Sequence, residues 1–301
     1  MDNKIIVGGQ AVIEGVMMRG PKAIATAVRR KDGTIVYRKK ELTAKSNRWV
    51  KTPFARGVVM LFDAMIMGTK ELIFASNQAG EEEETLSDKE VITTVTFSLL
   101  LGVGVFMVLP SIIGSLLFHS NKFAANVVEA IMRLVIFIGY IWGISFMKDI
   151  QRVFQYHGAE HKSIYNYESG KELSVENARM STRLHPRCGT SFLLLVMFIS
   201  IIVFSLVDTL FPLPKNIFLL IGYKIFTRVP FVPIVAGISY EIQRWTSYRL
   251  DNIFAKMISI PGMWLQKITT KEPDDSQIEV ALVALNVALG NEVKNAIEVF
   301  E

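Results

Sequence analysis

Apolar and polar positions change period along the chain, and the changes mark three regions. In residues 1–88 short apolar runs alternate with charged ones. Ile24 to Arg30 and Thr34 to Leu42 flank Lys31-Asp32-Gly33, and Asp-Gly between two extended runs predicts a β-hairpin. Ala11 to Met18 predicts a third strand. Pro53 to Ser76 has a long, mostly apolar helical pattern carrying Arg56, Asp63, Lys70 and Glu71. That pattern predicts a helix lying on a membrane surface or against the sheet. Glu81 to Glu84 read as an acidic, solvated linker.

From Val91 to Phe118 no charged residue occurs, 28 in a row. At about 1.5 Å per residue such a helix exceeds the roughly 30 Å hydrocarbon core of a bilayer. Val127 to Met147 predicts a second span, with Glu129 and Arg133 four apart near its start, where they can pair on one helical face. Thr190 to Val207 predicts a third. Asn216 to Tyr240 holds Lys224, Arg228, Pro230 and Pro233, so it reads as a kinked span or as two short segments. Its charges need partners such as Asp208 or Glu241. Beyond it, Leu250 to Leu265 reads as an amphipathic interfacial helix. Pro273-Asp-Asp-Ser276 reads as the cap of a helix from Gln277 to Leu289, with further helix to Glu301.

The fold class expected is an α-helical polytopic membrane protein with about four transmembrane helices and a small α+β N-terminal cytoplasmic module. Residues 1–88 form that module, 89–248 the spans with a cytoplasmic His/Cys loop at 148–189, and 249–301 cytoplasmic amphipathic and C-terminal helices. Composition agrees, because half the residues are hydrophobic, more than an ordinary soluble domain of this charge needs. The first ten residues lack the basic-then-apolar layout of a signal peptide.

Charge fixes the expected orientation. Of the 33 lysines and arginines, fifteen lie in residues 1–90, seven between the second and third spans and six after Tyr240, against Lys122 and Lys215 alone in the opposite loops. The positive-inside rule then puts both termini and the 148–189 segment in the cytoplasm of a multi-pass protein of the cell membrane. The same bias accounts for the net charge of +5. No nucleic-acid motif accompanies it, so the lipid bilayer is the expected partner.

Chemistry concentrates in one window. Three of the four histidines and the sole cysteine fall between residues 156 and 188. One cysteine excludes an internal disulfide and fits a reducing compartment. In His157-Gly-Ala-Glu160-His161 the imidazoles are four apart, on one face of a helix, and can converge on a metal. The order H-x-x-E-H is the inverzincin arrangement, with Glu160 as general base. A helical stripe supports it: Phe146, Ile150, Val153, Phe154, His157, His161, Ile164 and Glu168. Gly158 weakens the helix by about 1 kcal/mol. Cys188 or His185, on a loop held by Pro186 and Gly189, supplies a third ligand, with Glu176 a further option. Histidines on an apolar stripe also serve as packed core residues; His185 and Cys188 in the same window favour the metal. Gly8-Gly9-Gln10 spells a release-factor tripeptide too common to carry weight, and Glu14 and Arg19 around two methionines read as a strand ending in a Gly-Pro turn.

The motifs Gly-Gly-Gln-Ala-Val-Ile-Glu-Gly-Val-Met-Met-Arg-Gly (8–20), Gln-Tyr-His-Gly-Ala-Glu-His-Lys (155–162), Val-Glu-Asn (175–177), His-Pro-Arg-Cys-Gly-Thr (185–190), Ala-Gly-Ile-Ser-Tyr-Glu (236–241), Pro-Gly-Met-Trp-Leu-Gln (261–266) and Glu-Pro-Asp-Asp (272–275) resemble the YqhQ-like family of bacterial membrane proteins. The resemblance covers nearly the whole chain. It implies a membrane protein of a type described as predicted metal-dependent enzymes, and it raises Glu14 and Arg19 to second-tier site residues.

The expected activity is therefore metal-assisted hydrolysis. His157, His161 and Cys188, with His185 as alternative, would hold a divalent ion, Zn²⁺ first among candidates. Glu160 would move the proton, and Arg187 or Arg183 would stabilise the developing oxyanion. A site at the membrane surface suits an amphiphilic or membrane-tethered substrate. The rival is a non-catalytic metal-binding or structural membrane protein, an assembly factor or transport component, in which His157, His161, His185 and Cys188 all bind and no position stays open.

Overall fold

The computed structural model describes residues 7–42, 52–80, 88–118, 121–211, 214, 216–249 and 251–300. The acidic run Glu81–Glu84, Lys215 and Leu250 lie outside them. Four N-terminal strands, β1 (Gly8–Val12), β2 (Gly15–Arg19), β3 (Ala23–Arg29) and β4 (Ile35–Glu41), form an antiparallel meander. The Asp-Gly hairpin forms between β3 and β4, with Asp32 Oδ1 accepting from the Thr34 N–H at 2.8 Å. The single strand expected over Ala11–Met18 is instead two. The chain reverses at Ile13-Glu14, where Glu14 takes φ 51°, and Val12 then pairs with Gly15. The apolar residues on both sides of this turn hid it from a reading by period.

Both faces of the sheet are covered. Helix α1 (Ala55–Ala79) lays Phe74 and Ala75 on Val12, Val28 and Val36. Its buried Glu71 accepts from Thr26 Oγ1 at 2.7 Å and Arg38 Nη2 at 2.9 Å.

Next in the chain come α2 (Asp88–Val103), a π-helical turn over Gly104–Val108 and α3 (Leu109–Leu117). They are followed by α4 (Lys122–Ile144), α5 (Lys148–Glu168), the short α6 (Val175–Arg179) and α7 (Gly189–Leu210). Helices α8 (Ile217–Arg228) and α9 (Val232–Ser247) are joined by a 3₁₀ turn at Val229-Pro230-Phe231. Among the described residues four helices are long and apolar enough to cross a membrane: 92–117, 122–144, 189–210 and 218–247. The shortest has 22 residues, about 33 Å of helix. The segment with the two prolines is thus helical throughout, continuing through the 3₁₀ turn from 218 to 247.

A charged network ties these helices together. Arg133 Nη2 donates to Glu129 Oε1 at 2.6 Å and its Nη1 to Ser200 Oγ at 3.0 Å. Arg228 Nη2 reaches Asp208 Oδ2 at 2.8 Å and Glu129 Oε2 at 3.1 Å, and Lys224 Nζ reaches Asp208 Oδ2 at 2.9 Å. None of the five charged residues is more than 4% exposed. Of the two partners expected for Lys224 and Arg228, Asp208 takes the role. Glu241 is instead held by Arg56 of α1, which closes that helix against α9. The π-helical turn gives the network a further acceptor, because the Phe106 carbonyl takes a hydrogen bond from Arg133 Nε at 3.1 Å.

Helix α10 (Ile253–Thr269) packs on α7 and α9, and α11 (Asp275–Leu289) returns to the sheet. Ile278, Ala281 and Leu285 of α11 bury against Val16, Met18, Ala25 and Ala27, together with Tyr156 and Ala159 of α5. Asp274 and Gln277 form the capping box. The helix expected beyond 289 does not form. Gly290 adopts φ +86°, where glycine carries no Cβ penalty, and the chain leaves as β5 (Ile297–Glu298), parallel to β4. The last helix and strand therefore complete the N-terminal sheet.

Candidate metal centre

Helix α5 runs unbroken through Gly158. The glycine is needed for packing: a Cβ there would stand 2.1 Å from the Lys271 carbonyl oxygen, and Lys271 N–H donates to Phe154 O at 2.8 Å. The connection from α10 to α11 thus lies directly on α5 and brings the Thr269 carbonyl to the first histidine.

His157 and His161 sit with ring centroids 4.5 Å apart. His157 Nδ1 is 2.8 Å from Thr269 O, and His161 Nδ1 is 2.5 Å from Arg183 O. A carbonyl only accepts, so both Nδ1 atoms carry a proton, and in the neutral ring that leaves the lone pair on Nε2. His157 Nε2 lies 3.1 Å from Cys188 Sγ. His161 Nε2 is buried and has no hydrogen-bond partner. Cys188 is the N-cap of α7, its sulfur accepting from Thr190 N–H at 3.4 Å, so a thiolate there would face the positive end of the helix. Ligand atoms of His157, His161 and Cys188 lie within 4.8 Å of one another. Two imidazoles with Nδ1–H anchored on carbonyls, an orphaned buried Nε2 and an adjacent sulfur fit a soft or borderline divalent ion such as Zn²⁺.

His185 is nearby but otherwise engaged. Its Nδ1 accepts from Arg187 N–H at 3.2 Å and its Nε2 lies 3.5 Å from Glu168 Oε2. The buried Gln266 holds its backbone from both sides, Oε1 accepting from His185 N–H at 2.7 Å and Nε2 donating to His185 O at 2.8 Å. Among the described residues the converging group is His157, His161 and Cys188, and His185 is not part of it.

Glu160 is buried in the wall of a cavity of about 570 Å³ that His157, His161, Cys188, Arg187 and strand β1 also line. Burial pushes its carboxyl up to about 7, against the opposing pull of His157 and the Gly9 N–H. Gly9 belongs to the tripeptide that carried no weight in the sequence. A Cβ there would press within 3.0 Å of the Glu160 carboxylate, so the backbone of β1 is part of this wall.

The remaining sequence candidates lie elsewhere. Glu176 is exposed on α6 and does not line the cavity, because α6 packs its Ala178 inward against α11. Arg183 is turned to Thr270 and Glu272. Glu14, in the β1–β2 turn, is held by Arg152 and Tyr156 of α5. Arg19 ends β2, paired with Gly8 and Ile24. Sequence reasoning missed Gln266, Thr269 and Gln243, whose Nε2 donates to Cys188 O at 2.9 Å. Gln266 stands in a quoted motif, which was the available signal.

The family model described as "Protein of unknown function (DUF1385)" matches residues 52–291. "Uncharacterized protein YqhQ" of Bacillus subtilis (strain 168) is 38% identical over 301 residues, covering 94% of this chain and 92% of the relative. No solved structure matches. On this coverage the chain belongs to the DUF1385 family of YqhQ-like proteins.

Proposed function

We propose that the protein is a multi-pass protein of the cytoplasmic membrane, with both termini in the cytoplasm, that hydrolyses an amphiphilic or membrane-tethered substrate with a divalent metal, Zn²⁺ first. The observation that carries the reading is the buried, partnerless His161 Nε2 beside His157 Nε2 and Cys188 Sγ. Three protein ligands leave a position for chemistry, whereas a closed structural site needs a fourth, and the fourth candidate, His185, is bound to Glu168 and the Arg187 amide.

His157, His161 and Cys188 would hold a divalent metal, which when bound would supply Lewis-acid polarisation and make water acidic enough to react at neutral pH. Glu160, on the wall of the same cavity, accepts the proton of the attacking water and returns it to the leaving group. Arg187, on the cavity wall, offers charge to the oxygen on which negative charge develops. The Thr269 and Arg183 carbonyls fix the tautomer and aim of the two imidazoles. The cytoplasmic assignment rests on the lysine and arginine distribution.

The test compares Glu160→Gln with His161→Ala for metal content after purification and for function in cells lacking the native gene. The glutamine variant keeps metal and loses function; the alanine variant loses both. Full function of Glu160→Gln ends the hydrolase reading.

A further inference from the structure

A second cavity adjoins the metal site and is not accounted for by it. About 280 Å³ in volume, it is lined by Arg187, Tyr240, Gln243, Arg244, Ser247 and Tyr248. None of the six is acidic; Ser247 Oγ donates to Arg244 O and Gln243 Nε2 to Cys188 O, so the donors that face the groove are chiefly the two guanidinium groups and the two phenols. Arg187 also lines the cavity of Glu160 and the three ligand residues, so the two spaces share a wall. Glu168 orients Arg187 by an ion pair on one side of its guanidinium. Gln243 ties the groove to the site through the Cys188 carbonyl.

Placement argues for an amphiphile. Arg244 and Tyr248 stand at the end of the last apolar helix, beside exposed Trp245, the aromatic and basic composition of a membrane interface. The metal-site cavity extends to Leu193, one turn into α7 and 47% exposed. An apolar chain in the bilayer thus has a path along Leu193 while its polar end meets two guanidinium groups.

We propose that this groove binds the phosphate group of an amphiphilic substrate between Arg187 and Arg244 and presents that molecule to the His157/His161/Cys188 cavity. Two planar guanidinium forks with two phenols match the several acceptor oxygens of a phosphate. A single ammonium would match them less well. The inference rests on the hydrolase reading only for the fate of the molecule; the phosphate site stands on its own residues. The same chemistry would accept a soluble phosphate, and the apolar path favours the lipid.

The experiment uses the full chain in neutral detergent. Melting temperature is followed against dioctanoyl phosphatidylglycerol, dioctanoylglycerol and inorganic phosphate, with metal content measured on the same samples. The phosphatidylglycerol gives a saturable stabilisation, dioctanoylglycerol gives none, and inorganic phosphate acts only at far higher concentration. Arg244→Ala weakens the lipid by about tenfold with metal content unchanged, and Arg187→Lys weakens it while retaining a cation. Unaltered lipid affinity in Arg244→Ala, or equal binding of dioctanoylglycerol, overturns the proposal. Inorganic phosphate binding as tightly as the lipid overturns its amphiphile half. Loss of metal with lipid binding intact counts against the hydrolase reading alone.

Discussion

His157 Nε2 stands 3.1 Å from Cys188 Sγ although 31 residues separate them in the chain. Helix α5 supplies the first atom and the N-terminus of α7 the second. The meeting depends on the loop between them, which Gln266 and Gln243 clamp by its backbone. In the proposed site the sulfur serves rather than the third imidazole, because the His185 ring faces Glu168 and the Arg187 amide. Cys188→Ala is expected to lower metal occupancy of the purified protein at least about tenfold, whereas His185→Gln keeps it near stoichiometric. Elemental analysis of the two variants decides, and the reverse order would move His185 into the ligand set.

Gly158 shows how packing overrides propensity. In an isolated helix Gly→Ala stabilises by about 1 kcal/mol. Here the new Cβ would sit 2.1 Å from a backbone oxygen, and relieving that overlap costs roughly 1–3 kcal/mol. Gly158→Ala should therefore lower the melting temperature and loosen the metal site. A rise in melting temperature would show that the α10–α11 connection does not lie on α5.

Much of this was legible in residue order. The four-residue spacing of His157 and His161 places them on one helical face whatever surrounds them, and uncharged runs longer than a bilayer announce themselves. The rest depends on long-range contacts that period does not encode. Nothing local says that β5 will pair with β4 across some 260 residues, or that Gly290 ends the last helix. Glu176 stood as a further ligand option behind Cys188 and His185, since a carboxylate near a cluster is indistinguishable from a solvated one until its helix is placed. Gly9 was passed over because its role, allowing β1 to approach Glu160, lies in the side chain it lacks.

Glu168 gives the fold an acid limit. Burial opposes its ionisation, but hydrogen bonds from His185 and Arg187 prevail and bring the carboxyl down to about 2. A carboxyl depressed below its unfolded value of about 4.3 binds fewer protons folded than unfolded, so it stabilises the fold above that value. The contribution fades as pH falls from about 4.3 toward 2. Melting temperatures between pH 3 and 7 should drop more steeply at the acid end for the native chain than for Glu168→Gln. Parallel curves would remove Glu168 from the account.

The charges within the apolar helices are expected to be costly to disturb. Three cations, Arg133, Lys224 and Arg228, share Glu129 and Asp208, some 30 Å along α7 from Cys188 at the usual helical rise. Asp208→Asn leaves Lys224 and Arg228 without their nearest carboxylate, a loss of roughly 3–5 kcal/mol. Arg152→Ala, which breaks a half-exposed pair with Glu14, costs no more than about 1 kcal/mol. Thermal unfolding in detergent compares the two directly, and equal losses would contradict the buried network.

The most direct measurement is X-ray absorption at the metal edge of the purified full-length protein. The account expects one sulfur at about 2.3 Å and two imidazole nitrogens at about 2.0–2.1 Å, with the remaining position filled by a light non-protein atom. A shell without sulfur, a shell with three imidazoles and a sulfur, or no bound metal would contradict it.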